Sequence, residues 1–303
     1  MNNVLITGGT GFLGKHLSRK LIADNREVYI CNTRTCNLHN YDELPDPKHH
    51  KFDIIYHLAA KTKAGDYCLY HKGEQWIDNQ LLNTNILKYW VEKQPQAKFI
   101  GMGTSCMYEP SNEHLTEDNC LRGDPEPGLY AYAHTKRMLL VGLQSIADQY
   151  GLKYAYFIPS TLYGTDFELT DNHFIFDLVK KIYNGKYNNE DVVLWGDGHQ
   201  RRELIYVKDV VDIMLQLERS SVNEIVNLGT GNDNSIREFA AGICSSIGYE
   251  PGNIVYDTSK YTGARVKTLC PKKLLALLPD NFSFTSLEAG IASIVEYYTS
   301  ARK

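Results

Sequence analysis

Tyr132 and Lys136 are the residues whose types and spacing say most about chemistry. A helix turns once per about 3.6 residues, so positions four apart sit roughly 40° from each other and share a face. A phenol, with an ordinary pKa of about 10, is a poor acid or base at neutral pH. An ammonium one turn away stabilises the phenolate and draws that pKa towards the working range. Tyr-x-x-x-Lys near the start of a helix, predicted over 132–149, therefore offers a general acid/base. Tyr130 stands six positions before Lys136, about 240° around the same axis, and cannot share the pocket. On its own the pair reads as an ordinary amphipathic surface helix. Its meaning comes from the elements that must position it.

The first of these is at the start of the chain. Asn3-Val4-Leu5-Ile6-Thr7 is an apolar run fit for a buried parallel strand. Gly8-Gly9-Thr10-Gly11-Phe12-Leu13-Gly14 follows, then a helical pattern through Leu17, Leu21 and Ile22, then Glu27-Val28-Tyr29-Ile30-Cys31 as a second strand. Strand, glycine turn, helix and strand in about thirty residues form a dinucleotide-binding unit. Gly8 permits the tight turn, Gly11 lets backbone approach a diphosphate, and Gly14 allows close packing of helix on strand. The amides of the helix start, at Phe12 and Leu13, supply donors and partial positive charge for that anion. The end of the second strand, Cys31-Asn32-Thr33-Arg34, has no carboxylate to take the adenosine ribose hydroxyls. With Asn32 and Arg34 (or Arg19) there, the pattern favours NADP(H), with NAD(H) as the alternative.

Residues 53–60 form the next strand, ending in Leu58-Ala59-Ala60, whose small side chains let a flat cofactor lie against backbone. His57, inside that apolar strand, reads as a core residue. A helix is expected over 76–92, with Asn79 and Asn85 stapling backbone. Residues 98–103 form a strand running into Thr104-Ser105-Cys106-Met107-Tyr108.

Composition removes other classes. The chain has 303 residues, 22% of them charged, and a net charge of −4, so no global field draws it to nucleic acid or an anionic membrane. No apolar run is long enough to span a bilayer, and the first residues show no charged leader before an apolar core. The seven cysteines are scattered and suggest neither a metal site nor a disulfide framework. The expectation is a cytoplasmic globular protein.

Taken together, Thr7-Gly8-x-x-Gly11-x-x-Gly14, Leu58-Ala59-Ala60, the hydroxyl of Thr104 and Tyr132-x-x-x-Lys136 resemble the extended short-chain dehydrogenase/reductase superfamily of nucleotide-sugar epimerases, dehydratases and reductases. Within it the chain is most similar to the GDP-L-fucose synthase family. The carrying segments are residues 103–108, Glu126-Pro127, 159–164, Asn172-His173, 193–198, 202–209, 227–231 and Lys260-x-x-Gly263. The resemblance implies an α/β fold, a Rossmann-type doubly wound parallel sheet with a smaller, mostly C-terminal substrate-binding lobe. Residues 1–163 would form the dinucleotide domain, completed by about 203–233. Residues 164–202 and 234–303 would form the nucleotide-sugar lobe.

The same resemblance implies that Thr104 holds the sugar oxygen, Tyr132 gives it a proton and Lys136 holds the nicotinamide ribose. Cys106 and His173 match the acid/base pair that inverts carbons beside a 4-ketone, where protons are acidic because the carbanion delocalises into the carbonyl. Pro159 would line the cofactor. Ser105, Asn172, Lys181, Trp195, Arg202 and Lys260 would meet a GDP-linked sugar, and the helices over 76–92 and 132–149 would build a homodimer.

The chain also departs from the family pattern. The loop between Gly164 and His173 is short and carries Asp166, Glu168 and Asp171. Lys180-Lys181 replaces an arginine fork, and Lys61-Thr62-Lys63-Ala64-Gly65-Asp66 is unlike the usual glycine-rich stretch. The leading expectation is NADPH-dependent epimerisation and C4 reduction of a GDP-4-keto-deoxy sugar. The alternatives are a nucleotide-sugar 4-epimerase or 4-dehydrogenase with tightly held NAD(H), possibly acting on a GDP-heptose, and a non-catalytic dinucleotide sensor. No Asp-Glu pair follows Thr104, which disfavours a dehydratase.

Overall fold

A computed structural model describes residues 2–62, 66–260 and 262–302. Its first half alternates strand and helix: β1 (Asn3–Thr7), α1 (Phe12–Ala23), β2 (Glu27–Cys31), β3 (Ile54–His57), α2 (Asp66–Tyr70), α3 (Lys72–Lys93) and β4 (Lys98–Met102). Then come α4 (Tyr130–Tyr150), β5 (Tyr154–Pro159), β6 (Thr161–Tyr163), α5 (Phe174–Tyr187), β7 (Val193–Trp195), β8 (Arg201–Tyr206) and α6 (Val207–Ser220). The remainder is β9 (Glu224–Leu228), β10 (Asp233–Ser235), α7 (Ile236–Ile247), β11 (Val255–Asp257), α8 (Lys272–Leu277) and α9 (Leu287–Ala301).

Six strands pair in the order β2-β1-β3-β4-β5-β9, every pair parallel. Strands β3, β4 and β5 are buried along their whole length, because helices cover both faces of the sheet. On one face Ile86, Tyr89 and Trp90 of α3 and Leu139, Leu140 and Leu143 of α4 pack into the first core. On the other, Leu13, Leu17 and Leu21 of α1 meet Val210, Met214 and Leu217 of α6. A third core joins α5, α7 and α9 through Val179, Ile182, Phe239, Ile243 and Ile294. Beside it lie the small sheets β10-β8-β6 and β11-β7. This is the expected doubly wound α/β architecture. The expected helix over 132–149 begins two residues earlier and ends at Gly151, whose left-handed φ of 68° closes it. The capping box at Ser235 and Glu238 opens α7 as its sequence implies.

The cysteine reading needs one correction. Cys31 and Cys36 are joined across the turn after β2, with Cα atoms 5.0 Å apart. They sit together because the Asn32 carboxamide accepts the Arg34 and Thr35 N–H groups and folds the loop back.

His57 is fully buried and belongs to the core, as its strand suggests. Thr7 Oγ1 lies 2.8 Å from Nδ1, and Asn83 Oδ1 lies 3.0 Å from Nε2. Asn83 in turn donates to Thr135 O at 3.0 Å, so one polar chain ties β1, β3, α3 and α4. Burial, then the charge of Lys136, pulls the imidazole down to about 3. Its folded value lies below the ordinary value of about 6.5, so in the window between them the unfolded chain binds a proton that the folded one refuses. Stability from this group is therefore present above that window and lost as pH falls through it, by roughly 1 kcal/mol per pH unit. In urea unfolding between pH 6.5 and 4, the His57→Gln variant should lose stability less steeply than the parent. Parallel curves would contradict this.

Candidate active site

The strand order reverses between β1 and β3, which opens a crevice at their carboxyl ends. Gly8 lines it with φ 70°, and a Cβ there would lie 2.7 Å from the Ala59 nitrogen. At Gly14 a Cβ would come within 2.2 Å of Gly8 O and 2.6 Å of Gly9 Cα, so the first turn of α1 packs directly on the loop. Gly11 caps α1, and a Cβ there would meet only Gly8 O, at 3.2 Å. Its outer side is open, where a diphosphate would approach the helix start. Leu58, Ala59 and Ala60 are half-buried at the end of β3, and Pro159 is buried at the end of β5. Phe12 is half-buried and meets Phe176 of α5 edge-on, with ring centres 5.5 Å apart. Leu13 sits in the core, so only its backbone is available to a ligand. A cradle that side chains would fill, facing free helix amides, fits a dinucleotide. The Gly14→Ala variant should raise the dissociation constant for NADPH at least about a hundredfold, because the obstructing atoms are backbone. Fluorescence titration reads it, and unchanged affinity would contradict the fit.

Beyond β2, Arg34 is exposed, and no described residue pairs with its guanidinium. Arg19 is elsewhere. It pairs with Asp166, in a surface cleft of about 530 Å³ that His16, Lys208 and Asp212 also line. Of the two arginines considered for a 2′-phosphate, Arg34 alone stands at the end of β2.

Helix α4 carries Tyr132 and Lys136 on one face, with Lys136 Nζ 5.9 Å from the centre of the Tyr132 ring. Lys136 is 3% exposed, and burial pulls its ammonium down to about 8. Tyr156 in β5 donates to Lys136 O at 2.7 Å and fixes the helix against the sheet. Tyr130 is 52% exposed, with its ring against His134, on the outer side as the helix geometry requires. The expected lowering of the Tyr132 phenol does not hold. Burial, followed by the Cys106 and Cys68 thiols, raises it well above the ordinary value. The phenol is therefore a protonated donor.

After β4, Thr104 turns the chain, its hydroxyl accepting the Cys106 N–H at 3.3 Å. Ser105 is buried beneath that turn, and Cys106 is half-buried. Lys267 Nζ lies 3.6 Å from Cys106 Sγ and 3.6 Å from Glu126 Oε2. Of the basic residues Lys260, Arg265 and Lys267, Lys267 is the one that reaches Cys106; Lys260 and Arg265 are exposed. The three stand within eight residues of one another, and the loop path separates them. That path is held by the buried Glu203 carboxylate, which accepts the N–H groups of Gly231 and Leu269, each at 2.8 Å. Arg202 donates to Ala264 O at 2.7 Å and Thr262 O at 3.0 Å. The arginine expected on a diphosphate thus also holds the loop before Lys267. Arg201 pairs with Asp233 and Glu238 and is structural.

His173 caps α5 and makes no hydrogen bond to Thr104, Cys106 or Tyr132; its ring partner is Asp171. Asn172 accepts from Lys180 at 2.9 Å. Lys181 pairs with Asp177 at 2.9 Å, and Lys180 is the cation that binds the His173 loop. Trp195, at the end of β7, is 39% exposed. Lys63, Ala64 and Gly65, in the stretch expected to face substrate, lie outside the described residues. Lys61 pairs with Asp78 at 2.5 Å, and its backbone is held by Asn79. Asn79 and Asn85 staple backbone as expected.

A family model, the NAD dependent epimerase/dehydratase family, matches residues 4–229. The GDP-L-fucose synthase of Dictyostelium discoideum is 28% identical, covering 99% of this chain and 97% of that one. The GDP-L-colitose synthase of Yersinia pseudotuberculosis is 27% identical over 99% of this chain and 98% of its own. Among solved structures, a GDP-L-fucose synthetase from Naegleria fowleri bound to NADP superposes with a TM-score of 0.85 at 26% identity, covering 99% of this chain and 95% of that chain. With three-quarters of its length inside the family model, the chain belongs to the NAD dependent epimerase/dehydratase family.

Proposed function

We propose that this enzyme carries out NADPH-dependent epimerisation and C4 reduction of a GDP-linked 4-keto-deoxy sugar. The observation that carries the reading is the position of Cys106. It lies one short turn beyond β4, against the Lys267 ammonium, and its thiol is among the groups that raise the Tyr132 phenol. A simple 4-epimerase needs no second proton-transfer group there. Relatives named as GDP-L-fucose and GDP-L-colitose synthases support the sugar class, and the NADP held by a structural neighbour supports the cofactor.

Gly8, Gly11, Gly14 and the backbone of Phe12 and Leu13 hold the diphosphate of the dinucleotide, Arg34 its 2′-phosphate, and Lys136 its nicotinamide ribose. When bound, the dinucleotide supplies hydride to C4. Tyr132 gives its proton to the C4 oxygen, which the Thr104 hydroxyl orients. Cys106 takes the proton from a carbon beside the ketone, and His173 returns one on the opposite face. Trp195, Asn172, Lys260 and Arg202 border the nucleotide end. Exposed apolar residues on the paired helices α3 and α4 (Trp76, Ile77, Leu81, Met138 and Val141) form the contact of a homodimer.

The test is turnover of GDP-4-keto-6-deoxymannose with NADPH and with NADH, followed by absorbance. Oxidation of NADPH at the higher kcat/KM is expected. No oxidation with either, together with NAD(H) that co-purifies, would overturn the reading in favour of a 4-epimerase.

A further inference from the structure

The loop before α5 contains a carboxylate–imidazole pair in which the roles above use His173 and assign nothing to Asp171. His173 Nδ1 lies 2.5 Å from Asp171 Oδ1, and the same oxygen accepts the His173 backbone N–H at 2.8 Å. Asp171 is fixed in turn. Its N–H donates to Glu168 O at 2.8 Å, and Lys180 binds both its carbonyl and Asn172 Oδ1. Burial alone would push the Asp171 carboxyl up, but the hydrogen bonds and charge of His173, with the Lys180 charge behind them, outweigh it and hold the group below its usual range. An ionised carboxylate can only accept a hydrogen bond. The Nδ1 atom must therefore carry hydrogen, and Nε2, which no described residue reaches, is the atom left to exchange a proton.

We propose that Asp171 is the positioning residue of His173, holding hydrogen on Nδ1 throughout so that Nε2 alone gains a proton and transfers it to the carbon beside the ketone. The inference rests on the reading of His173 as the acid. In the step, Cys106 Sγ takes the proton from that carbon and the electron pair moves onto the ketone oxygen. The Nε2–H bond then breaks as a C–H bond forms on the opposite face. The ring enters the step doubly protonated and leaves it as the neutral form, with Nδ1–H still on Asp171. Water afterwards returns a proton to Nε2 and receives the one on Cys106.

Asp171→Asn tests this, because a carboxamide can donate to Nδ1 and so favours the other tautomer. Solvent-deuterium uptake by GDP-4-keto-6-deoxymannose should fall about a hundredfold in kcat with KM little changed. Asp171→Glu, which keeps the carboxylate, should recover part of it. Nitrogen-15 NMR of the His173 ring, assigned by its loss in His173→Gln, should change from Nδ1–H in the parent to Nε2–H in Asp171→Asn. A parent that exchanges while Asp171→Asn exchanges equally fast, or with the tautomer unmoved, overturns this inference alone. A parent that takes up no deuterium overturns the acid reading and this inference with it.

Discussion

Tyr132→Phe is expected to reduce NADPH oxidation with the keto sugar by at least about a thousandfold, while the dissociation constant for NADPH changes by less than about twofold. Desolvation holds the half-buried phenol protonated, and under the proposed function it is the group that gives a proton to the C4 oxygen. Thr104 cannot replace it, because a hydroxyl that orients an oxygen is far too weak an acid to protonate it. Lys136 is buried one turn away, 5.9 Å from the ring, and in the proposed function it holds the nicotinamide ribose. Tyr130→Phe is the control, since that ring is exposed against His134, and it should leave turnover unchanged. Equal losses in the two variants would mean a general effect on α4 rather than proton donation.

Cys106→Ala is expected to lower solvent-deuterium uptake beside the ketone by about a thousandfold, again without weakening NADPH binding. Removal of the sulfur leaves Lys267 its ion pair with Glu126, so the loop should stay in place. That separates a chemical loss from a structural one. Deuterium exchange by mass spectrometry in the absence of NADPH measures this step alone. Exchange at the parent's rate would show that the proton leaves to another base, and the assignment of Cys106 would fail.

Much of this arrangement was readable along the chain, and the rest failed for identifiable reasons. The glycine turn, its flanking strands and the Tyr132–Lys136 face follow from local periods, and local geometry also excluded Tyr130. Neighbouring positions around a helix are harder. Lys180 and Lys181 are about 100° apart on α5, and nothing in their sequence spacing shows that Lys181 pairs with Asp177 while Lys180 meets the loop. Loop paths were not readable at all, so Lys267 could not be told from Lys260 or Arg265, nor could the turn that joins Cys31 to Cys36 be foreseen. Along the chain Asp171 reads only as an acidic departure, because its contact with His173 depends on how the loop closes. The phenol illustrates the limit most clearly. A lysine at the fourth position predicts a lowered pKa, but the depth of the pocket belongs to the whole fold, and burial dominates.

The central claim is that one site both exchanges protons beside a ketone and reduces that ketone. The most direct measurement is proton NMR of the product formed from GDP-4-keto-6-deoxymannose and NADPH in deuterated water. Deuterium at C3 and C5, with one NADPH consumed per product, is the expected result. A reduced product that carries no solvent deuterium would contradict it.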